Sequence, residues 1–362
     1  MRRRWAFWPI VAVLVLYTGI LAGRLLPRAS GAELGAGTAA CFAAMLAWLL
    51  AYHARPRLAA AAWFRAAAWA GAAVMGVWAT FVLLSLPADA ARLTERGWAV
   101  LLGASVLLAA AGLAQVLRGP RVREVDVPVA GLPDALAGLR IVQLSDLHVG
   151  LSIRRRAVAE IVRRALALAP DLVAVTGDLA DGEPALLRDA LSPLAELKAP
   201  LGVFFATGNH DYYWGAPRWL DAVRSFGWTP LIDESRVLER GGARLQVAGV
   251  CDPQGRAFVP EHRGVVPPAD PSAALRVLLA HRPDAARAAA AAGYDLQLSG
   301  HTHGGQFFPF SLVVRLVHRH VRGLSREGRL RVYVNPGTGW WGPPHRLGVP
   351  AEITLLRLVR AP

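Results

Sequence analysis

LRIVQLSDLHVG, residues Leu139 to Gly150, is an apolar run that breaks off into polar side chains. Ile141, Val142 and Leu144 read as a buried strand, and Asp146 and His148 follow at its carboxyl end. An aspartate and a histidine two positions apart can lean toward one point if the chain turns there. Alone the pair is a weak signal, but the arrangement recurs. LVAVT precedes Gly177-Asp178, VFFAT precedes Gly208-Asn209-His210-Asp211, RVLLA precedes His281, and LQLS precedes Gly300-His301-Thr302-His303. Five times a strand-like run delivers oxygen or imidazole ligands at its end.

Helical patterns lie between the early runs. Ile153–Ala169 carries apolar residues at helical spacing (Val158, Ile161, Val162, Ala165, Leu166), and Pro170 stops it. Pro184–Leu197 and Pro217–Phe226 read as further helices, the second closed by Gly227. Later segments are mostly strands: Arg244–Val250, Leu275–Ala280, Leu296–Ser299, Arg331–Val334 and Ile353–Leu358, with an Ala-rich helix at Asp284–Ala292. This order predicts an α/β domain over residues 139–362, built on one mixed sheet or on two packed sheets with helices outside. Residues 121–138, polar and bearing Pro128, Gly131 and Pro133, read as a linker, with one strand-like alternation from Val122 to Val129.

Residues 1–120 have a different character. Four apolar stretches, about 5–23, 36–52, 66–86 and 98–117, have the length that crosses a hydrocarbon core of roughly 30 Å. A soluble bundle would need polar faces, and these stretches have almost none. Trp5, Trp8, Tyr52 and Trp98 sit near their ends, where amphipathic rings favour the interface. Nine arginines (2, 3, 4, 55, 57, 65, 118, 121 and 123) fall on one side of these spans and four (24, 28, 92 and 96) on the other. The positive-inside rule then puts both termini, and with them residues 139–362, on the cytoplasmic side of a cell membrane. The opening MRRRWAF also fits an arginine-rich export signal, although three further spans follow it. No span carries a midplane Asp, Glu or Lys, so the region reads as a multi-pass anchor rather than a transporter.

Of the formal net charge of +14, residues 1–120 hold +8, from eleven arginines against three acids. The charge thus partly decorates the apolar region, and no Lys/Arg block reads as a nucleic-acid tract. No nucleic acid and no obligate protein partner is expected. Cys41 and Cys251 lie far apart, so no disulfide framework or zinc–thiolate site can be built from them.

Carboxylate, amide oxygen and imidazole together suit Mn, Fe or Zn better than Mg or Ca. Two such cations about 3.5–4 Å apart clamp a phosphate and activate a bridging hydroxide for in-line attack on phosphorus. Asp146-x-His148, Gly177-Asp178, Gly208-Asn209-His210-Asp211, His281 and Gly300-His301-x-His303, in this order and spacing, resemble the signature of the calcineurin-like metallophosphoesterases. The tail NPGTGWWGPPHRLGVPAEITLL is similar to the end of the membrane-anchored bacterial branch of that family. Some members of that branch look like hydrolases of UDP-2,3-diacylglucosamine.

The resemblance implies a four-layer sandwich, two mixed β-sheets flanked by helices, here preceded by an all-α four-helix transmembrane region. It implies that Asp146, His148, Asp178 and His303 hold one cation and that Asp178, Asn209, His281 and His301 hold the other. Asp178 would be the bridge and Mn the favoured metal. It further implies that His210 stabilises or protonates the leaving oxygen while Asp211 fixes its tautomer. His53, His262, His318, His320 and His345 lie outside the signature and read as ordinary, except that the loop holding His345 and Arg346 could approach a substrate phosphate. Cys251 reads as a small buried side chain.

The expected activity is therefore a membrane-anchored, dinuclear-metal hydrolysis of a phosphoester or pyrophosphate. The alternative is a membrane sensor or scaffold with a catalytically weak domain, against which the intact ligand set speaks. The segment Gln306–Arg322 leaves two readings open. It can be an interfacial helix that meets a membrane lipid or lipid-linked phosphate. It can equally pack on the domain's own core.

Overall fold

Consecutive side chains of a strand point to opposite faces, and here both faces of the central strands are covered. In β2 (Arg140–Leu144), Val142 and Leu144 pack with the helices while Ile141 faces the other way. β3 (Leu172–Thr176) repeats the pattern, with Val173 and Val175 on the helix side and Leu172 and Ala174 opposite. This is why these segments read as unbroken apolar runs. The structure is a computed structural model and describes residues 7–26, 29–53 and 62–361. Trp5 and the arginines at 2, 3, 4, 28, 55 and 57, which entered the span and orientation readings, lie outside the described residues.

The first sheet has the order β1-β12-β2-β3-β4-β5, with β4 at Val203–Ala206, β5 at Thr229–Pro230 and β12 at Glu352–Arg360. β2 to β5 run parallel, β12 is antiparallel to β2, and β1 (Arg121–Val129) is parallel to β12. The second sheet has the order β10-β11-β9-β8-β7-β6. Its central strands β7 (Ala243–Val250), β8 (Leu275–Ala280), β9 (Leu296–Ser299) and β11 (Leu330–Val334) are parallel. Its edges β6 (Glu234–Arg240) and β10 (Gly323–Glu327) pair antiparallel. The two sheets share one apolar layer, to which Ile141, Leu172 and Phe204 contribute from the first sheet and Val277, Leu279 and Leu298 from the second. The two-sheet arrangement is thus the one adopted.

Residues 121–138 are not a linker. β1 occupies half of that stretch and lies in register with β12, from Arg121 opposite Glu352 to Val129 opposite Arg360. It is an edge strand with Pro128 and four charged side chains, which is what made it read as a connection.

The chain divides into two units, Met1–Ala114 with Gly342–Leu347 and Gln115–Trp341 with Gly348–Pro362. The first contains the long helices α1 (Phe7–Leu25), α2 (Gly31–His53) and α3 (Ala62–Ala90) and all but the last turn of α4 (Glu95–Leu117). Leu21, Phe81 and Trp98 form its core, and Trp78 Nε1 donates to Thr18 Oγ1 at 2.9 Å. Among the described residues, Trp63–Ala88 and Glu95–Leu117 are long and apolar enough to cross a membrane, by length and composition, and Val15–Leu25 is a shorter apolar helix. The first unit also holds the loop Gly342–Leu347. There His345 Nε2 lies 3.2 Å from Thr80 Oγ1, and the Arg346 amide donates to the Gly112 carbonyl at 3.3 Å. His345 and Arg346 are buried among these helices, so the expected approach of their loop to a substrate phosphate is not what the structure shows.

Candidate metal centre

Every ligand candidate stands just beyond the carboxyl end of a parallel strand, where side chains from both sheets converge. Asp146 and His148 follow β2, Asp178 follows β3, Asn209 and His210 follow β4, His281 follows β8, and His301 and His303 follow β9. The chain turns sharply to aim them. Asp146, His148, Asp178, His301 and His303 all take left-handed backbone conformations, with φ of 51°, 48°, 52°, 69° and 49°. Each such residue costs on the order of 1–3 kcal/mol unless its surroundings impose it. Glycines make room: a Cβ on Gly208 would collide with the Asp178 carboxylate, and one on Gly300 with Ser145 and Asp146.

Among the described residues three groups converge closely enough to hold a cation; two, Asp146–His148–His303 and Asp178–His281–His301, consist of the expected ligands, and the third, His148–Asp181–His210, shares His148. In the first, His148 Nε2 and His303 Nε2 are 3.2 Å apart, and His303 Nε2 is 3.3 Å from Asp146 Oδ1. In the second, His281 Nε2 lies 3.2 Å from His301 Nδ1 and 3.3 Å from Asp178 Oδ2. The same Asp178 oxygen is 3.9 Å from His148 Nε2, so it faces both clusters. The other, Oδ1, accepts the His210 backbone amide at 2.8 Å.

The donor set fits divalent cations on two counts. The Nδ1 protons of two imidazoles are committed elsewhere, His281 to the Thr176 carbonyl at 2.8 Å and His148 to the Asp181 carboxylate at 3.1 Å. That leaves their Nε2 lone pairs aimed inward, the tautomer a metal requires. Asn209 Oδ1 is buried and accepts no hydrogen bond from the protein, an expense that a cation would relieve.

Electrostatics at His210 follow from the same carboxylates. Burial disfavours its charged form, yet Asp178, Asp181 and Asp211 raise its pKa to about 9. Asp181 is buried too, but the His148 and His210 imidazoles outweigh that and hold it well below the ordinary carboxylate range. Burial and the nearby Asp178 lift Asp211 to about 7. His301 moves the opposite way, to about 3, through burial and the neighbouring His281 and Arg282.

Asp211 does not hold the His210 ring, contrary to expectation. Its carboxylate accepts the backbone amides of Gly208 at 2.7 Å, Asp178 at 3.1 Å and Leu179 at 3.0 Å. Both residues lie in the short helix α7 (Asn209–Tyr213), where neighbours point about 100° apart. The partner of His210 is Asp181, whose Oδ1 lies 2.7 Å from Nδ1. The sequence carried one sign of it, a second carboxylate in Gly177-Asp178-Leu179-Ala180-Asp181-Gly182.

Further residues reach the site without a motif to announce them. Tyr213 and Trp341, both partly exposed, set their rings 5.2 and 5.6 Å from that of His210. His318, read as ordinary, lies with its ring 6.2 Å from His301. Behind the site the tail segment is structural: Thr338 accepts and donates across to Ser145, and the Gly339 amide donates to the Asp146 carbonyl at 3.0 Å. Asn335, buried, turns back on Gly337 and Thr354.

Comparison with known proteins agrees with this geometry. The calcineurin-like phosphoesterase family matches residues 139–305. A transmembrane protein with metallophosphoesterase domain from Danio rerio is 38% identical over 272 residues, covering 71% of this chain and 61% of that one. An uncharacterized metallophosphoesterase from Aquifex aeolicus is 34% identical over 246 residues, 66% of this chain and 91% of its relative. The phosphodiesterase YaeI of Escherichia coli is 30% identical over 245 residues, 64% of this chain and 86% of that protein. The chain belongs to the calcineurin-like phosphoesterases, and its catalytic half is a metal-dependent phosphoesterase domain. The matched stretch spans 61% of the length of the Danio rerio protein.

Proposed function

We propose that this chain is a membrane-anchored phosphohydrolase that uses two divalent cations, with Mn favoured, on a lipid-linked phosphoester or pyrophosphate. The observation that carries the dinuclear reading is Asp178 Oδ2, a single oxygen that faces both ligand clusters. Asp146, His148 and His303 would hold one cation and His281, His301 and Asn209 the other, with Asp178 shared. When bound, such a pair activates water and offsets the charge that develops on phosphorus.

The protein's own residues do the rest. With Nδ1 held by Asp181, His210 passes a proton through Nε2 to the departing oxygen. Asp181 keeps that imidazole oriented and, through His148 Nδ1, ties its position to the first ligand cluster. Asp211 secures the loops that carry Asp178 and Gly208. The rings of Tyr213 and Trp341 shape the wall beside His210 where a leaving group would sit.

The anchor would be the four-span helical unit, with the catalytic domain in the cytoplasm. The arginine distribution and the two helices of sufficient length and apolarity support it. Among lipid-linked phosphates, a nucleoside-diphosphate lipid such as UDP-2,3-diacylglucosamine is the candidate that the resemblance suggests. The test is a hydrolysis screen of the full chain with Mn, comparing lipid-linked with soluble phosphates. A preference for lipid-linked substrates is expected, and inactivity toward every phosphate at full metal loading would sink the proposal. A reporter fused to the C-terminus should be active only in the cytoplasm.

A further inference from the structure

Directly after His303 the chain forms a short helix, α10 (Phe310–Val317), that turns its apolar side chains outward. Leu316 is 87% exposed, Val317 73% and Leu312 50%, and Phe308, Phe310 and Val313 are each 40% exposed. Phe307 just before the helix and Ser311 within it are buried, and Phe310 stacks on Phe307 with ring centroids 5.9 Å apart. Scattered exposed apolar residues are ordinary, but six within ten consecutive positions form a patch.

The charge around this patch is mostly positive. Between Asp295 and Glu327 the sequence holds no carboxylate, while Arg315, Arg319, Arg322 and Arg326 lie within that span. Arg315 is exposed on the helix, and the Arg319 side chain, 67% exposed, reaches Glu327 at 3.3 Å. Arg322 donates to the Gly348 carbonyl at 3.0 Å, and its aliphatic stem packs against Gly304, the residue after His303. Burial lowers the Arg322 pKa, and so do the nearby cations of Arg315 and Arg123. An apolar helix fringed by arginines that outnumber the nearby acids Glu327 and Glu352 matches an anionic bilayer surface: the apolar side chains enter the acyl boundary and the guanidinium groups meet lipid phosphates.

The geometry points to α10 as a bilayer-docking element that seats the metal centre against anionic lipid, a deepening that rests on the membrane-anchored reading above. The arginines then gather headgroup phosphate next to the loop carrying His301 and His303. A peptide groove or a second copy of the chain would use the apolar face but would not call for this excess of arginine.

The test uses the full chain in lipid nanodiscs, with Cys41→Ala to leave no accessible thiol. Cys251 is buried, and burial together with Asp233 pushes its pKa up to about 12, so it stays unlabelled. Leu316→Cys is spin-labelled, with Val317→Cys as a second position on the helix. Leu186→Cys, on the exposed helix Pro184–Leu191 of the same unit, is the aqueous reference. Collision with oxygen, which concentrates in the bilayer, is compared with collision with a water-soluble nickel chelate.

The expected result is a several-fold higher oxygen-to-nickel ratio at 316 and 317 than at 186, larger with phosphatidylglycerol present than in phosphatidylcholine alone. It should fall in the Arg315→Glu, Arg319→Glu variant. Labels that stay aqueous in both lipids overturn the proposal, as does insertion that ignores lipid charge. Shielding from both reagents also overturns it and indicates a protein partner. Co-flotation of the chain with lipid reports the anchoring separately, and none of these measurements depends on turnover.

Discussion

Asp181 Oδ1 lies 2.7 Å from His210 Nδ1, joining a residue of the β3 loop to one of the β4 loop in a part-buried contact. The same carboxylate reaches His148 Nδ1 through its second oxygen at 3.1 Å. One side chain therefore sets the tautomer of both His210, the proposed proton donor, and His148, a metal-ligand candidate.

Asp181→Asn should lower kcat by roughly 10²-fold, because a general acid held in the wrong orientation loses most of its contribution. The metal concentration for half activity should rise about 10-fold, the usual penalty for losing a partner behind a ligand. His210→Ala should cost roughly 10²–10⁴-fold in kcat with metal retained. Since the two act as one device, the double variant should be little worse than His210→Ala alone. Kinetics across a Mn titration check this, and losses that multiply would show that Asp181 and His210 work independently.

Chelation should abolish hydrolysis and added Mn restore it, with two equivalents of transition metal per wild-type chain by elemental analysis. Asp178→Asn should drop that content below one equivalent, because its Oδ2 faces both clusters. Asn209→Ala should lose one equivalent only. An Asp178→Asn protein that keeps both cations would refute the shared-carboxylate assignment.

Asp211→Ala should act on stability. It strands three buried amide donors, those of Gly208, Asp178 and Leu179, at a cost of about 3 kcal/mol or more. Thermal or denaturant unfolding of the variant beside His210→Ala measures the difference. An equally small effect from both would return Asp211 to a purely catalytic role.

Burial lowers the pKa of His345 from 6.5 to about 4 within the helical unit. A loop released from its place would take up the proton first, so docking is complete above about 6.5 and weakens as pH falls toward 4. The loss approaches roughly 3 kcal/mol at the acid end. Hydrogen-exchange protection of Gly342–Leu347, corrected for intrinsic rates, should decline over that interval, whereas His345→Gln should give a flat profile.

The ligand set was legible because each side chain sits one to four residues beyond an apolar strand, so strand and ligand announce each other. Asp181 was not, since it lies deep in a loop whose path only the fold determines. Asp211 was misjudged from adjacency: two neighbours on a helix diverge, and the carboxylate turns back to the loop amides instead. β1 was hidden by its edge position, where charged residues are tolerated, and by a pairing partner over 200 residues away in β12. The loop with His345 carries a sequence compatible with phosphate binding, and only packing beside Thr80 and Gly112 assigns it elsewhere.

Each ligand cluster draws on both sheets: Asp146 and His148 from the first meet His303 from the second, and Asp178 meets His281 and His301. Cations seated there would act as rivets through two leaves otherwise joined by their shared apolar layer and a few hydrogen bonds such as Gln143 Nε2 to the Ser299 carbonyl. Slippage of one leaf along the other would pull every ligand pair out of reach together. The domain's resistance to shear and its capacity to hydrolyse phosphate would then rise and fall with the same metal, and a chelator would soften the sandwich as it silences the enzyme.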